Sequence, residues 1–154
     1  LGEIRKLIRK QKNKIKAHMV EMELSKIIID EKRHDQIIVL KEKDGERLLP
    51  IVIGITEASA IKMKLSDIAP PRPLTHDLLK SIIDNLGAKL DSVIIDRMEN
   101  NTFFAKLMLL DANSQPKAID SRPSDGIALA LRSEAKIFVE DEVLKLAQKI
   151  NKKV

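Results

Sequence analysis

The sequence predicts an α+β domain, a mixed and largely antiparallel sheet with helices packed on it. Three observations carry this expectation. Three strand-like segments open the domain in succession, two of them joined at the hairpin signal Asp44-Gly45. Two segments, 75–86 and 122–132, carry apolar residues at helical spacing. A second run of strand-like segments lies between them. The resulting order, β-β-β-α-α-β-β-β-α-β-α, holds too many consecutive hairpin strands for a regular doubly wound sheet.

Each element has a local reason. Residues 22–30, 36–42 and 47–54 are rich in β-branched and aliphatic residues, as strands are. Pro50 lacks the N–H that a ladder needs, so it marks an edge or a bulge. From Thr56 to Ser66 the period changes. Ala58, Ile61, Met63 and Leu65 suit a short helix that Thr56 caps or that starts near Glu57. A proline-rich break covers 67–73. Thr75 to Leu86 is the clearest helix, with Leu78, Leu79, Ile82, Ile83 and Leu86 expected to face the core and Gly87 to stop it. Residues 90–97 and 103–110 form a hairpin around Asn100-Asn101, since asparagine tolerates the left-handed conformation. Residues 111–117 read as a polar loop and 118–120 as a short strand. Arg122 to Arg132 is a second apolar helix, in which Ala128 and Ala130 permit close approach to a sheet. A last strand at 137–139 and a terminal helix at 140–150 complete the chain.

Composition excludes several function classes. The 154 residues suffice for one domain with a core, and 44% of them are apolar. No apolar run approaches the ~18 residues that span a bilayer. No cysteine is present, so disulfides, thiolate metal sites and thiol nucleophiles are out, and a cytoplasmic location fits. The net charge of +5 is unevenly placed. Residues 1–18 carry seven basic side chains and one acidic, whereas the rest of the chain is close to neutral. The expected division is therefore a basic N-terminal arm or linker helix over 1–18 and a domain over 19–154. In the arm, Ile4, Leu7, Ile8 and Ile15 share a helical face among lysines. The chain opens on Leu1, so it reads as part of a longer protein whose domain begins near Met19 or Met22.

Two short segments echo each other. Arg72-Pro73-Leu74-Thr75-His76-Asp77 precedes one apolar helix, and Asp120-Ser121-Arg122-Pro123-Ser124-Asp125 precedes the other. Helix-start chemistry accounts for half of this. Proline is tolerated where a helix begins. Thr75 and Ser124 can cap backbone amides, and Asp77 and Asp125 complement the dipole in the first turn. It does not account for Arg72, Arg122 or His76, because a cation at a helix N-terminus is locally unfavourable. Each arginine then either pairs with a carboxylate or binds an anion.

Two readings follow from the residues. In one, the segments are structural ion pairs in a non-catalytic binding module, with Arg72 and Arg122 held by Asp77, Asp120 or Asp125. In the other, they hydrolyse a phosphodiester. Arginine would stabilise phosphoryl charge, Asp120 and Asp125 would hold Mg²⁺ or Mn²⁺ or orient water, and His76 would act as acid or base. A small-anion site at the two helix starts is a third possibility. No Gly-rich phosphate loop, Gly-x-Ser-x-Gly elbow or His-Glu-x-x-His is present. With no Tyr or Trp, and only Phe103, Phe104 and Phe138, stacking of single-stranded bases on aromatics has little support.

The ordered motifs resemble the bifunctional nuclease family. They are Leu49-Pro50-Ile51-Val52-Ile53-Gly54 with Glu57-Ala58, then 72–79, Asn101-Thr102-Phe103-Phe104-Ala105, 119–130 and Ile137-Phe138-Val139. The likeness covers about residues 20–148. It implies a compact domain that associates as a homodimer and degrades both RNA and DNA. It also marks Glu57, Arg72, His76, Asp77, Asp120, Arg122, Ser124 and Asp125 as the family-like polar residues. It supplies no catalytic mechanism, so the roles given above rest on residue chemistry.

Overall fold

A computed structural model gives the fold and describes residues 1–16, 18–30, 32 and 34–151, without side chains at 11, 12 and 14–16. Ile15, expected on the apolar face of the arm, therefore lies outside the described side chains, as do the basic Lys12, Lys14 and Lys16. Helix α1 (Gly2–Lys16) leads into β1 (Met19–Ile28), β2 (Asp35–Glu42) and β3 (Leu48–Gly54). Helices α2 (Ile55–Leu65) and α3 (Thr75–Asn85) follow, then β4 (Lys89–Glu99), β5 (Thr102–Leu110) and β6 (Pro116–Ser121). The chain closes with α4 (Pro123–Ser133), β7 (Lys136–Glu140) and α5 (Asp141–Asn151). No described helix is long and apolar enough to cross a membrane.

The fold is α+β with the expected element order after α1. Seven strands make one sheet in the order β3-β2-β1-β7-β4-β5-β6. Two three-stranded meanders flank β7, whose pairing with β4 is parallel while the other pairings are antiparallel. Pro50 lies on β3, which ends the sheet, so its missing N–H costs no ladder bond on the outer side. Asn100 and Asn101 both take positive φ, as the type I′ form of the two-residue hairpin turn requires. The β2–β3 connection is longer than a two-residue turn. The Glu42 carboxylate accepts from the Arg47 backbone N–H and Nε, and so closes a loop over 43–47. Register shifts at Leu24/Lys26, Leu90/Ser92 and Ile95/Arg97 add twist to the sheet. The sheet curls enough that β3, at one end of the order, lines the same cleft as the start of β5 and of α4.

Helix α4 is the spine of the core. Ile127, Ala128, Leu129 and Ala130 are buried, and the helix packs on β4, β5 and β7 as well as on α2 and α3. Gly126 permits this approach: a Cβ there would stand 2.7 Å from Val93 Cγ1.

Helix α3 departs from expectation. Gly87, at φ 72°, does end it. Its apolar stripe, however, does not face the core: Leu78, Leu79, Ile82 and Leu86 are exposed, and only Ile83 packs against the core cluster. His76 is its buried residue instead. A helical repeat reports that a face seeks cover, and here α4 and β4 meet a different side of the helix.

Candidate active site

Two strand-to-helix junctions meet here. Edge strand β3 runs into α2 with Gly54 as N-cap, and β6 runs into α4 with Arg122 as N-cap and Pro123 in the first turn. Each helix carries an acid in its first turn, Glu57 and Asp125. Arg122 joins them: its Nη2 donates to Glu57 Oε1 at 2.8 Å and its Nε to Asp125 Oδ2 at 2.9 Å. Although doubly bonded, the guanidinium side chain is 66% exposed. The arginine that opposes the α4 dipole is thus offset by two carboxylates and still faces solvent.

The other oxygen of Asp125 holds His76. The His76 Nε2 to Asp125 Oδ1 distance is 3.0 Å, which brings the two echoing segments into direct contact. An ionised carboxylate can only accept, so Nε2 carries the hydrogen and the lone pair of the neutral ring sits on Nδ1. Burial pushes the Asp125 carboxyl up, but the bonds from His76 and Arg122 outweigh this and hold it below the usual range. Asp125 and then Glu57 push the Arg122 guanidinium higher still.

Asp77 faces the other way. Its Oδ2 accepts from the Leu74 backbone N–H, and its Oδ1 accepts from Arg132 Nε at 2.6 Å. Arg132 is 5% exposed and also donates to the carbonyls of Ala128 and Ala60. One buried guanidinium therefore ties α2, α3 and α4 together beside His76. Thr75 and Ser124 do not cap their helices: the N-caps are Leu74 and Arg122, without a side-chain cap bond.

The remaining candidates divide. Asp120 and Asp125 line one open cleft with His76, Arg122, Leu79 and Ile119. Ser124 is buried and borders a neighbouring cleft. Arg72 is exposed, pairs with no described side chain and lines none of the clefts that His76 and Arg122 border. The echo in sequence thus pairs Arg72 with Arg122, but of the two only Arg122 lines a cleft with His76.

Over residues 38–152 the chain matches the bifunctional nuclease domain. It belongs to the bifunctional nuclease domain family. An uncharacterised protein of Mycobacterium tuberculosis (strain H37Rv) is 40% identical over 126 residues, covering 82% of this chain and 74% of the relative. Bifunctional nuclease 1 of Oryza sativa subsp. japonica is 30% identical over 109 residues, 69% of this chain but 33% of the rice protein. Bifunctional nuclease 1 of Arabidopsis thaliana is 29% identical over 105 residues, and the chain spans 32% of its length.

In this bifunctional nuclease domain, Glu57 and Arg132 stand out as site residues that reasoning on the two echoed segments did not place. The sequence signal for Glu57 is an acid in the first turn of a helix that follows an edge strand. Arg132 has no local signal, because its countercharge Asp77 lies 55 positions away and the Ala60 carbonyl 72, and the Ala128 carbonyl is its one partner near in sequence among the described residues.

Among the described residues, no group of three or more His, Cys, Asp or Glu forms a metal cluster. Mg²⁺ nonetheless needs only one or two carboxylates, since it retains several waters. Asp120 is exposed and has no ion pair or hydrogen bond to another described side chain, and it shares the cleft with Asp125. Both oxygens of Asp125 already accept hydrogen bonds, from His76 and Arg122, so Asp120 is the uncommitted carboxylate of that cleft.

Proposed function

We propose that this domain hydrolyses phosphodiester bonds in RNA and DNA at the cleft between α3, β6 and the start of α4. The observation that carries the proposal is Asp125, which orients His76 through one oxygen and Arg122 through the other beside solvent. Arg122 would meet the phosphoryl oxygens and stabilise the charge that builds on them. Nδ1 of His76 would take the proton of a water as its oxygen forms the new bond to phosphorus. The bond to the leaving oxygen then breaks, and that oxygen gains a proton from solvent or from the imidazolium. Asp125 keeps the ring in the tautomer this requires. Asp120, with Asp125, would hold Mg²⁺ or Mn²⁺, which supplies Lewis acidity toward a phosphoryl oxygen when bound. Asp77 acts through the Arg132 tie and positions His76. Arg72 is free to meet a phosphate farther along the substrate.

The test is cleavage of single- and double-stranded RNA and DNA in Mg²⁺, Mn²⁺ or EDTA. The purified double variant Asp125→Ala/Arg122→Ala should be inactive in every condition. Cleavage at the wild-type rate by that variant would remove the site assignment. The rival reading, a module held by structural ion pairs, is favoured for Asp77, whose partner Arg132 is buried. It is disfavoured for Arg122, whose side chain is largely exposed.

A homodimer is part of the same proposal. Leu79 of the exposed apolar face of α3 lines one cleft with Ile119 of β6, which ends the sheet with no further described strand beside it. A two-fold axis at β6 would pair that edge with itself and bring two α3 faces together. Light scattering should give a dimer mass, and Leu78→Glu/Ile82→Glu should give a monomer. A wild-type mass that stays monomeric at every concentration would exclude this arrangement.

A further inference from the structure

Three clefts run together across this face. His76 and Thr75 border both the site cleft and a second cleft between α2 and the start of α3. Arg122 borders both the site cleft and a third along β3. A polymer whose phosphate sits at Arg122 therefore meets a different surface on each side.

The α2–α3 cleft differs in chemistry from the other two. Its volume is about 470 Å³, within the range of small-ligand pockets, roughly 300–1,000 Å³. Ile55, Ala60, Met63 and Leu74 make its walls, and no lysine, arginine or carboxylate lines it. Thr56, Ser59 and Thr75 add three hydroxyls, none of which bonds another described residue. Such a pocket is poorly suited to a phosphate, for which it offers no cation. It suits a neutral planar ring with donors and acceptors on its edge. The Met63 thioether is polarisable and packs well against an aromatic face, which makes good some of the stacking that the scarcity of aromatic residues removes.

We infer that the cleft between α2 and α3 is a nucleobase pocket, which holds the base adjoining the phosphate bound at Arg122. The inference rests on the nuclease reading above. The pocket shares His76 with the reaction cleft, so a base seated there would set which phosphate reaches the imidazole. The hydroxyls read ring edges, and the absence of charge admits either sugar chemistry.

Methionine-methyl NMR tests this without turnover, since the five methionines lie at 19, 22, 63, 98 and 108 and Met63 is the one in the pocket. Titration with adenosine or uridine should shift the Met63 methyl saturably and leave Met108 in place. Ribose and inorganic phosphate should not move Met63. The exposed Ser59 can be replaced without core disruption, and Ser59→Phe should fill the cleft and weaken the response about tenfold or more. No Met63 shift with either nucleoside, or an equal shift with phosphate, overturns the pocket. A companion assay separates the two proposals. If Ser59→Phe raises KM for an intact oligonucleotide but not for one with an abasic residue beside the scissile bond, both stand. If the wild type cleaves nothing while nucleosides still shift Met63, the pocket stands and the reaction falls.

Discussion

Arg132→Met is expected to destabilise the domain by about 3 kcal/mol, the lower end of the cost of breaking a buried ion pair. The side chain is 5% exposed and supplies hydrogen bonds to Asp77 and to the carbonyls of Ala60 and Ala128. Methionine fills much of the space but donates nothing. Asp77 then keeps the Leu74 amide as partner but loses its countercharge. Because the Asp77 side chain remains 31% exposed, water recovers part of the loss, which is why the lower end is expected. Urea denaturation at neutral pH measures this directly, and an unchanged midpoint would contradict it. The acid limb gives a second readout. Burial raises the Asp77 carboxyl, but the Leu74 amide and Arg132 outweigh that and hold it below its ordinary value. A depressed folded value stabilises the native state above the unfolded carboxyl range, near 4, and that stabilisation is lost as pH falls through the folded value. Arg132→Met should therefore flatten the decline in stability below about pH 4.

Asp125→Asn should lower the turnover of phosphodiester hydrolysis by about 10²–10⁴-fold, the usual worth of a positioned acid–base group. The substitution keeps size and shape. An amide that offers its oxygen to Arg122 must offer its N–H₂ to His76, so Nε2 has to become the acceptor. The ring proton then moves to Nδ1, and the basic nitrogen is lost. His76→Gln should fall by a similar factor, and the double variant by little more, since the two residues act as one unit. KM should change less than kcat. A structural ion pair predicts the opposite pattern: a loss of folding stability and no effect on kcat. Equal kcat in Asp125→Asn and wild type would reject the imidazole's role.

The sequence was most legible where a residue's local chemistry decides its conformation. Asn100-Asn101 turns a hairpin, Pro50 lies on an edge strand and Gly87 ends a helix, each for a reason contained in a few neighbouring residues. The β6–α4 junction was legible for the same reason. The stripe on α3 was misassigned to the core, because helical period records amphipathicity and not the identity of the surface that covers it. Thr75 and Ser124 looked like caps, but Thr75 is the first residue of its helix and Ser124 the second.

Sequence by itself determined the α+β class, the order of the elements, the lack of thiol chemistry and the gathering of arginine, histidine and aspartate at helix starts. Tertiary structure decided which of them meet. It joined His76 to Asp125 across 49 positions, gave Arg122 to Glu57 and Asp125, withdrew Asp77 to Arg132 and left Arg72 outside the cleft. Local propensity sets elements within a few residues of chain, whereas an ion pair between distant segments depends on how the curled sheet brings its ends together.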